Sequence, residues 1–319
     1  MTRRDFLAAT AAAAAMPRFA RAAPSSTVAV AKCQTYGSEL LPTLNRMFDQ
    51  IGGLSGLVSN KTVAIKLNLT GSPSQRLGTA PTELAQWVHP DVIGSVVHLL
   101  GRAGARRIRL LESPWDTNQT LEDFMLAAKW QPQTLLGAAK SVECENTNYL
   151  GNAKKYTRFS VPQGGLLFGS YDLNHSYEDC DVFVSIAKLK EHATAGVTLS
   201  MKNCFGITPC TIYGDGSPVD EPGLTPKGGR GITLHNGRRQ PSKSSVSEKD
   251  PASPRDPGYR VPRVVADLVA ARPIHLAIID GIESMAGGEG PWVRNGRRVS
   301  PGLLVAGKNC VATDAVATA

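Results

Sequence analysis

The run CDVFVSIAKLK (180–190) constrains the fold more than any other stretch of the chain. Its apolar residues are nearly continuous, with no polar alternation, as a strand requires when helices cover both faces of a parallel sheet. Strand-like runs recur at 27–33, 62–70, 106–114, 274–282 and 302–309. Between them lie segments whose apolar residues return at helical spacing, at 40–51, 89–105, 120–130 and 261–273. Pro90 suits a first helical turn and Thr120 an N-cap. This alternation predicts an α/β fold with a largely parallel or mixed central sheet flanked by helices. One stretch breaks the pattern. Residues 207–262 are polar, rich in Gly and Pro, and carry Arg230, Arg238, Arg239, Arg255 and Arg260 without a sustained period, which predicts a long excursion or lid.

The chain opens MTRRDFLAATAAAAAMPRFARAAP. A twin-arginine pair (Arg3, Arg4), then Phe6 and Leu7, a mildly apolar alanine run at 8–15 and small residues at Ala20–Ala23 together have the organisation of a twin-arginine export signal. The apolar run is too short to span a bilayer, and no later segment offers about eighteen consecutive apolar residues. These features predict removal of residues 1–23 and a periplasmic or secreted protein. Its transient partners would be the twin-arginine export machinery and a signal peptidase, with no stable membrane anchor after cleavage. Because that route moves chains already folded, an inserted cofactor is compatible with it. Residues 24–319 are then expected to form one α/β domain. The final VATDAVATA stops within a helical pattern that has no terminal cap, which predicts further chain in a complete homologue.

Charge and cysteines narrow the chemistry. Residues 1–23 hold four Arg and one Asp, so the formal charge of +8 falls to +5 without them. A modest positive excess suits an anionic ligand. No basic tract interleaved with aromatics is present, so nucleic acid is not an expected partner. The six cysteines (Cys33, Cys144, Cys180, Cys204, Cys210 and Cys310) form no CxxC and no ferredoxin-like run. A cysteine-ligated iron–sulfur cluster or structural zinc is therefore not expected. An oxidising compartment permits disulfides, but spacing assigns no pairing.

In open α/β sheets, ligands collect beyond the carboxyl ends of strands. Four of the predicted strands end in polar groups: Lys66, Asn68 and Thr70; Glu112 and Ser113; Lys188, Lys190 and His192; Asp280, Gly281 and Glu283. Alternate residues of a strand share a face, so Lys66 is expected beside Asn68, and Lys188 beside Lys190. AGVTLSMKNCFG then predicts a helix start with Thr198 and Lys202 on one face, Asn203 beside them, and free backbone N–H groups that attract anions. Gly288 and Gly290 would let a second backbone approach a ligand closely, although their loop lacks phosphate-loop or dinucleotide spacing.

Any one of these lysines is an ordinary surfacing residue whose stem covers apolar area. Several charged strand ends together predict a site. Lysines, asparagines and backbone amides recognise carboxylate or phosphate, so the expected ligand is a small anionic substrate or a phosphate-bearing cofactor. Lys66, Asn68, Lys188, Lys202, Asn203, Gly288 and Gly290 would hold it. His192 is the candidate proton carrier near neutral pH, with Lys190 and Asp280 as further catalytic candidates. A lysine crowded by other cations can also act as a base or as a nucleophile towards carbonyls. Asp280, Glu283 and Asp314 are the candidate ligands of a divalent metal. An enzyme and a non-catalytic binding or cofactor-delivery protein both fit this pattern.

KLNLT at 66–70, HP at 89–90, AKLKEHATAGVTLSMKNCFG at 187–206, IIDGIESMAGGEGP at 278–291 and LVAGKNCVATDAVA at 304–317 resemble a bacterial and archaeal family, domain-of-unknown-function family 362. The resemblance runs in order over roughly residues 27–319, and the lysine block is its most specific part. It implies a shared site built from Lys66, Asn68, Lys188, Lys190, His192, Lys202, Asn203, Asp280 and Asp314, and brings no reaction with it. Some members of that family carry a ferredoxin-like module, whose cysteine array this chain lacks. Many others carry a twin-arginine signal.

Overall fold

A computed structural model describes residues 26–115, 117–217 and 225–319; the twin-arginine segment lies outside the described residues. In chain order the strands are β1 (Val28–Lys32), β2 (Thr62–Lys66), β3 (Arg107–Glu112), β4 (Val142–Asn146), β5 (Thr157–Ser160), β6 (Ser170–Leu173), β7 (Val182–Lys188), β8 (Lys190–His192), β9 (Gly196–Thr198), β10 (Leu276–Gly281), β11 (Ser284–Ala286), β12 (Arg297–Val299) and β13 (Leu303–Gly307). Seven of them form the central sheet in the order β1-β13-β10-β7-β2-β3-β4, and the rest pair as the hairpins β5–β6, β8–β9 and β11–β12. Strands β10, β7, β2, β3 and β4 run parallel, while β13 is antiparallel to both of its neighbours. The expected mixed, largely parallel sheet is what the chain forms.

Strands β2, β7 and β10 are buried along their whole length, which is why their sequences lack polar alternation. One face of the sheet packs Val63, Ile65, Val184, Ile186 and Ile278 against the helices Leu40–Gln50 and Pro90–Arg102. The other packs Ala64, Phe183 and Ala277 against the helix Pro257–Ala271. Local signals start these helices. His89 Nδ1 accepts the Asp91 N–H ahead of Pro90, and Thr120 Oγ1 accepts the Asp123 N–H at 3.1 Å. The last of the three begins at Pro257 rather than 261, because Asp256 caps it by accepting the Tyr259 N–H at 3.0 Å. An Asp-Pro-Gly sequence reads as a turn, yet a capping Asp followed by Pro is also a helix start.

Two further expectations change. AGVTLSMKNCFG does not open a long helix: Gly196–Thr198 is strand β9, paired with β8, and the helix covers only Ser200–Asn203. The N–H groups of Ser200 and Met201, expected to be free for a ligand, are bound by the Asp314 carboxylate at 3.0 and 2.8 Å. The described part of the 207–262 excursion is packed, with a short helix at Cys210–Tyr213, a π-helical turn at Gly231–His235, and buried Tyr213, Leu234 and Arg260. It closes over the carboxyl ends of the central strands and supplies part of the wall described next.

Candidate functional site: a lysine-bearing cavity at the strand ends

The pleat sorts the lysines onto opposite faces. Val63 pairs with Val182, and Ile278 with Ile186, so residues 63, 65, 182, 184, 186 and 278 share one face. Continuing that alternation puts Lys188 and Asp280 on this face and Lys66 on the other. Lys188 and Asp280, neighbours across β7 and β10, form an ion pair of 2.9 Å with both side chains fully buried. Lys188 Nζ also donates to Tyr36 Oη at 3.1 Å and to the Glu83 carbonyl at 2.9 Å. Asp280 accepts the Tyr36 hydroxyl at 3.1 Å, the His89 N–H at 3.0 Å and the Ile282 N–H at 3.2 Å. Neither residue lines the cavity; together they tie β7, β10 and the loops before the Pro90 helix into one buried network.

On the opposite side, Lys66, Asn68 and Asn203 form a second network. Lys66 Nζ pairs with Glu112 at 2.7 Å and donates to Asn203 Oδ1 at 3.2 Å, which also accepts from Asn68 Nδ2 at 3.1 Å. Asn203 Nδ2 donates in turn to Ser185 Oγ at 3.0 Å. This side chain therefore stitches β2 to β7 beneath a cavity of about 310 Å³. Lys66, Asn68, Thr70, Glu112, Ser113, His192, Thr198, Lys202 and Asn203 line it from the strand ends, with Trp115, Asp215, Arg230, His235, Glu289 and Trp292 from the loops. Lys190 lies just behind, donating to Thr70 Oγ1 at 3.1 Å and the Gln86 carbonyl at 2.6 Å; burial without a carboxylate partner holds its pKa far below the usual lysine range.

Three groups give the cavity its chemistry. Lys202 Nζ has no hydrogen-bond or ion-pair partner among the described residues; it stands 4.0 Å from the centre of the Phe205 ring. Burial, opposed by Glu289 and reinforced by the charges of Arg230 and Lys66, lowers its pKa to about 7. His192 accepts the backbone N–H groups of Thr194 and Ala195 at Nδ1, 3.2 and 3.3 Å away. That leaves the ring proton on Nε2. Burial and the charges of Lys202 and Lys190 lower its pKa to about 2. His192 is thus a neutral N–H donor through the physiological range, not the titrating proton carrier expected from its place in the sequence. Glu289 accepts the Ala193 N–H at 3.0 Å and the Trp292 Nε1–H at 2.9 Å. Burial alone would raise its pKa, but these bonds and the Lys190 charge outweigh it and keep the carboxylate ionised. Trp115 Nε1, Thr198 Oγ1 and His235 Nε2 are buried on the same wall without partners among the described residues. Buried polar groups ordinarily find partners, so these point to something that enters the cavity.

The glycines of MAGGEGP play a different part from the expected one. A Cβ on Gly290 would meet the Trp292 ring at 2.3 Å, and one on Gly71 would meet the same ring at 2.6 Å. The indole therefore lies between two glycines and walls the cavity itself. Gly288, with φ near +148°, packs against Val293. Replacing Gly290 by alanine should displace the indole, break its bond to Glu289 and red-shift tryptophan emission. Because the ring is part-exposed and can move, stability should fall by only about 1 kcal/mol, the low end for overpacking. Unchanged emission would show that the ring does not depend on the glycine.

The three candidate metal carboxylates are not brought together. Asp280 is in the Lys188 network, Glu283 binds Arg298 at 3.2 Å and Ser300 Oγ at 2.9 Å, and Asp314 caps the Ser200 helix. Among the described residues, no group of three or more His, Cys, Asp or Glu is placed to hold a metal ion. Among the described residues, no disulfide joins the cysteines. No helix among the described residues is long and apolar enough to cross a membrane.

Sequence reasoning missed Glu289, His235, Arg230, Trp115 and Trp292. The acidic residue inside MAGGEGP was a usable signal, since glycines flanking a carboxylate in a loop mark a tightly placed side chain. Nothing local distinguishes Arg230 or His235 from the other polar residues of the excursion.

No curated protein matches the chain at a significant level. Among solved structures, a protein from Thermotoga maritima is 12% identical with a TM-score of 0.43, over 90% of this chain and 60% of that one. The lactate racemase apoprotein from Thermoanaerobacterium thermosaccharolyticum is 9% identical with a TM-score of 0.31, over 85% of this chain and 53% of that one. The chain thus spans little more than half the length of either. The family model described as "Domain of unknown function (DUF362)" matches residues 63–319, which include every residue of the cavity wall, and the chain belongs to that family.

Proposed function

We propose that this is an exported enzyme that takes a small anionic substrate into the cavity at the carboxyl ends of β2, β3 and β7. Export rests on the twin-arginine organisation of residues 3–23. The observation that carries the binding reading is Lys202, a cation on the cavity wall with no counter-charge in contact among the described residues. Arg230 adds a second; its Nε and Nη2 donate to the Thr208 carbonyl, and it has no carboxylate partner among the described residues. An anion seated there would complete both. His192 offers a neutral N–H to an oxygen of the substrate, and Glu289 is a carboxylate available to accept a proton.

Titration calorimetry of small carboxylates and phosphates tests this reading. A binding anion should lose tenfold or more in affinity, about 1.4 kcal/mol, in Lys202→Met and again in Arg230→Met. Its affinity should fall as pH rises through about 7, because Lys202 loses its proton there. No binding in the wild-type protein, or equal binding by folded variants, would overturn it. The neutral state of His192 favours a second reading, a non-catalytic carrier of the same anion. In that case Glu289→Gln leaves affinity intact and no turnover of any bound anion is found.

A further inference from the structure

Four lysines surround this region, and three are committed to the protein. Lys66 has Glu112, the Leu67 carbonyl and Asn203; Lys188 has Asp280, Tyr36 and the Glu83 carbonyl; Lys190 has Thr70 and the Gln86 carbonyl. Lys202 alone of the four presents Nζ to the cavity with no bond to break, on the face of Phe205. A neutral N–H donor, His192, lines the same space, and Thr198 Oγ1 and Trp115 Nε1 have no partner there among the described residues. A free amine, a donor for an oxygen and cations for a carboxylate are the groups that condensation with an oxo acid requires.

We infer that Lys202 forms an imine with its ligand, and that the anionic substrate of this site is therefore an oxo acid. The inference rests on the anion-site reading above. The amine lone pair adds to the carbonyl carbon while the carbonyl oxygen accepts a hydrogen bond from His192 Nε2–H, which keeps its own proton. The resulting carbinolamine loses water, whose two protons are those of the amine, and leaves a C=N bond to Lys202. No oxidant or reductant is consumed. Arg230, a guanidinium on the same wall, is left to hold the carboxylate. The amine must be unprotonated to attack. Burial first, then Arg230 and Lys66, with Glu289 opposing, bring its pKa to about 7, so a large fraction is neutral at physiological pH. The other groups facing this space are Glu112, paired with Lys66, Asp215, which accepts the Gly231, Ile232 and Thr233 N–H groups, and His192 and His235, both held neutral, while Lys190 lies behind the wall.

Phenylpyruvate is a suitable probe, because its ring matches a wall made by Phe205, Trp115 and Trp292. Incubation with cyanoborohydride at neutral pH reduces any imine to a stable secondary amine, which peptide mass mapping locates. The expected result is labelling of Lys202 at least about tenfold above any other lysine, rising with pH through about 7, and its loss in Lys202→Arg and Lys202→Met. Labels spread evenly over the lysines, labelling that survives in Lys202→Arg, or no label would each overturn the inference. Phenyllactate, which keeps the carboxylate and lacks the carbonyl, separates the two levels by calorimetry. If it binds while phenylpyruvate leaves no adduct, the imine is refuted and the anion site stands. If neither compound binds, both readings fall.

Discussion

Replacing Lys188 by methionine is expected to lower the unfolding free energy by about 3–5 kcal/mol, the usual result of orphaning a buried charge. Lys188 and Asp280 are both fully buried, and their 2.9 Å contact joins adjacent strands in the middle of the sheet. Without the ammonium, the Asp280 carboxylate retains bonds from Tyr36, His89 and Ile282 but no neutralising charge. Replacing the partner as well, in Lys188→Met with Asp280→Leu, should recover much of the loss, because an apolar pair of similar volume avoids the desolvation of two ions. Urea denaturation at neutral pH measures both. A loss below about 1 kcal/mol in the single variant would mean that water reaches Asp280, and would refute its assignment to the core.

Glu248→Ala is expected to have an effect of similar size, about 3–5 kcal/mol, at the root of the excursion. Glu248 bonds Arg260 at 2.5 Å, Arg255 at 2.6 Å and Gln240 at 2.9 Å, and accepts from Ser253 Oγ. The Arg260 side chain is fully buried, and its Nε and Nη2 already lack partners among the described residues, so loss of Glu248 removes the one carboxylate that pairs with it there. The pH dependence has a definite sign. Burial would raise the Glu248 pKa, but bonds from Arg260, Ser253, Arg255 and Gln240 lower it from 4.5 to about 2. A carboxylate depressed in the folded state contributes its stability fully above its unfolded pKa, and loses it as pH falls through the folded value. Wild-type stability should therefore drop between about pH 5 and 2, with a shallower slope in Glu248→Gln over that interval. Parallel slopes would exclude Glu248 as the titrating group.

The site was partly legible because several predicted strands end in charged groups, although any one such lysine is an ordinary surfacing residue. Lys66, Asn68, His192, Lys202 and Asn203 all line the cavity. Lys188 and Asp280 carry the same local signature, charge directly after an apolar run, and yet form a core ion pair. Gly290 was legible as a position needing close approach, but the object that approaches is Trp292 rather than a ligand. His192 was legible as a candidate, whereas its tautomer and its neutrality depend on the turn at 193–195, on its burial and on the charges of Lys202 and Lys190.

The sequence by itself determined the main elements and their order: apolar runs too continuous for a half-exposed strand, helical periods between them, and a cap at Thr120. These are properties of neighbouring residues, and short-range sterics and burial decide them. Only the tertiary structure decided which charges meet. Strand register has a period of two, so a shift of one residue between β2 and β7 would put Lys66 and Lys188 on the same face. No local pattern records that register. It follows from how both faces pack at once, and with it came the separation of the buried Lys188–Asp280 pair from the open amine of Lys202.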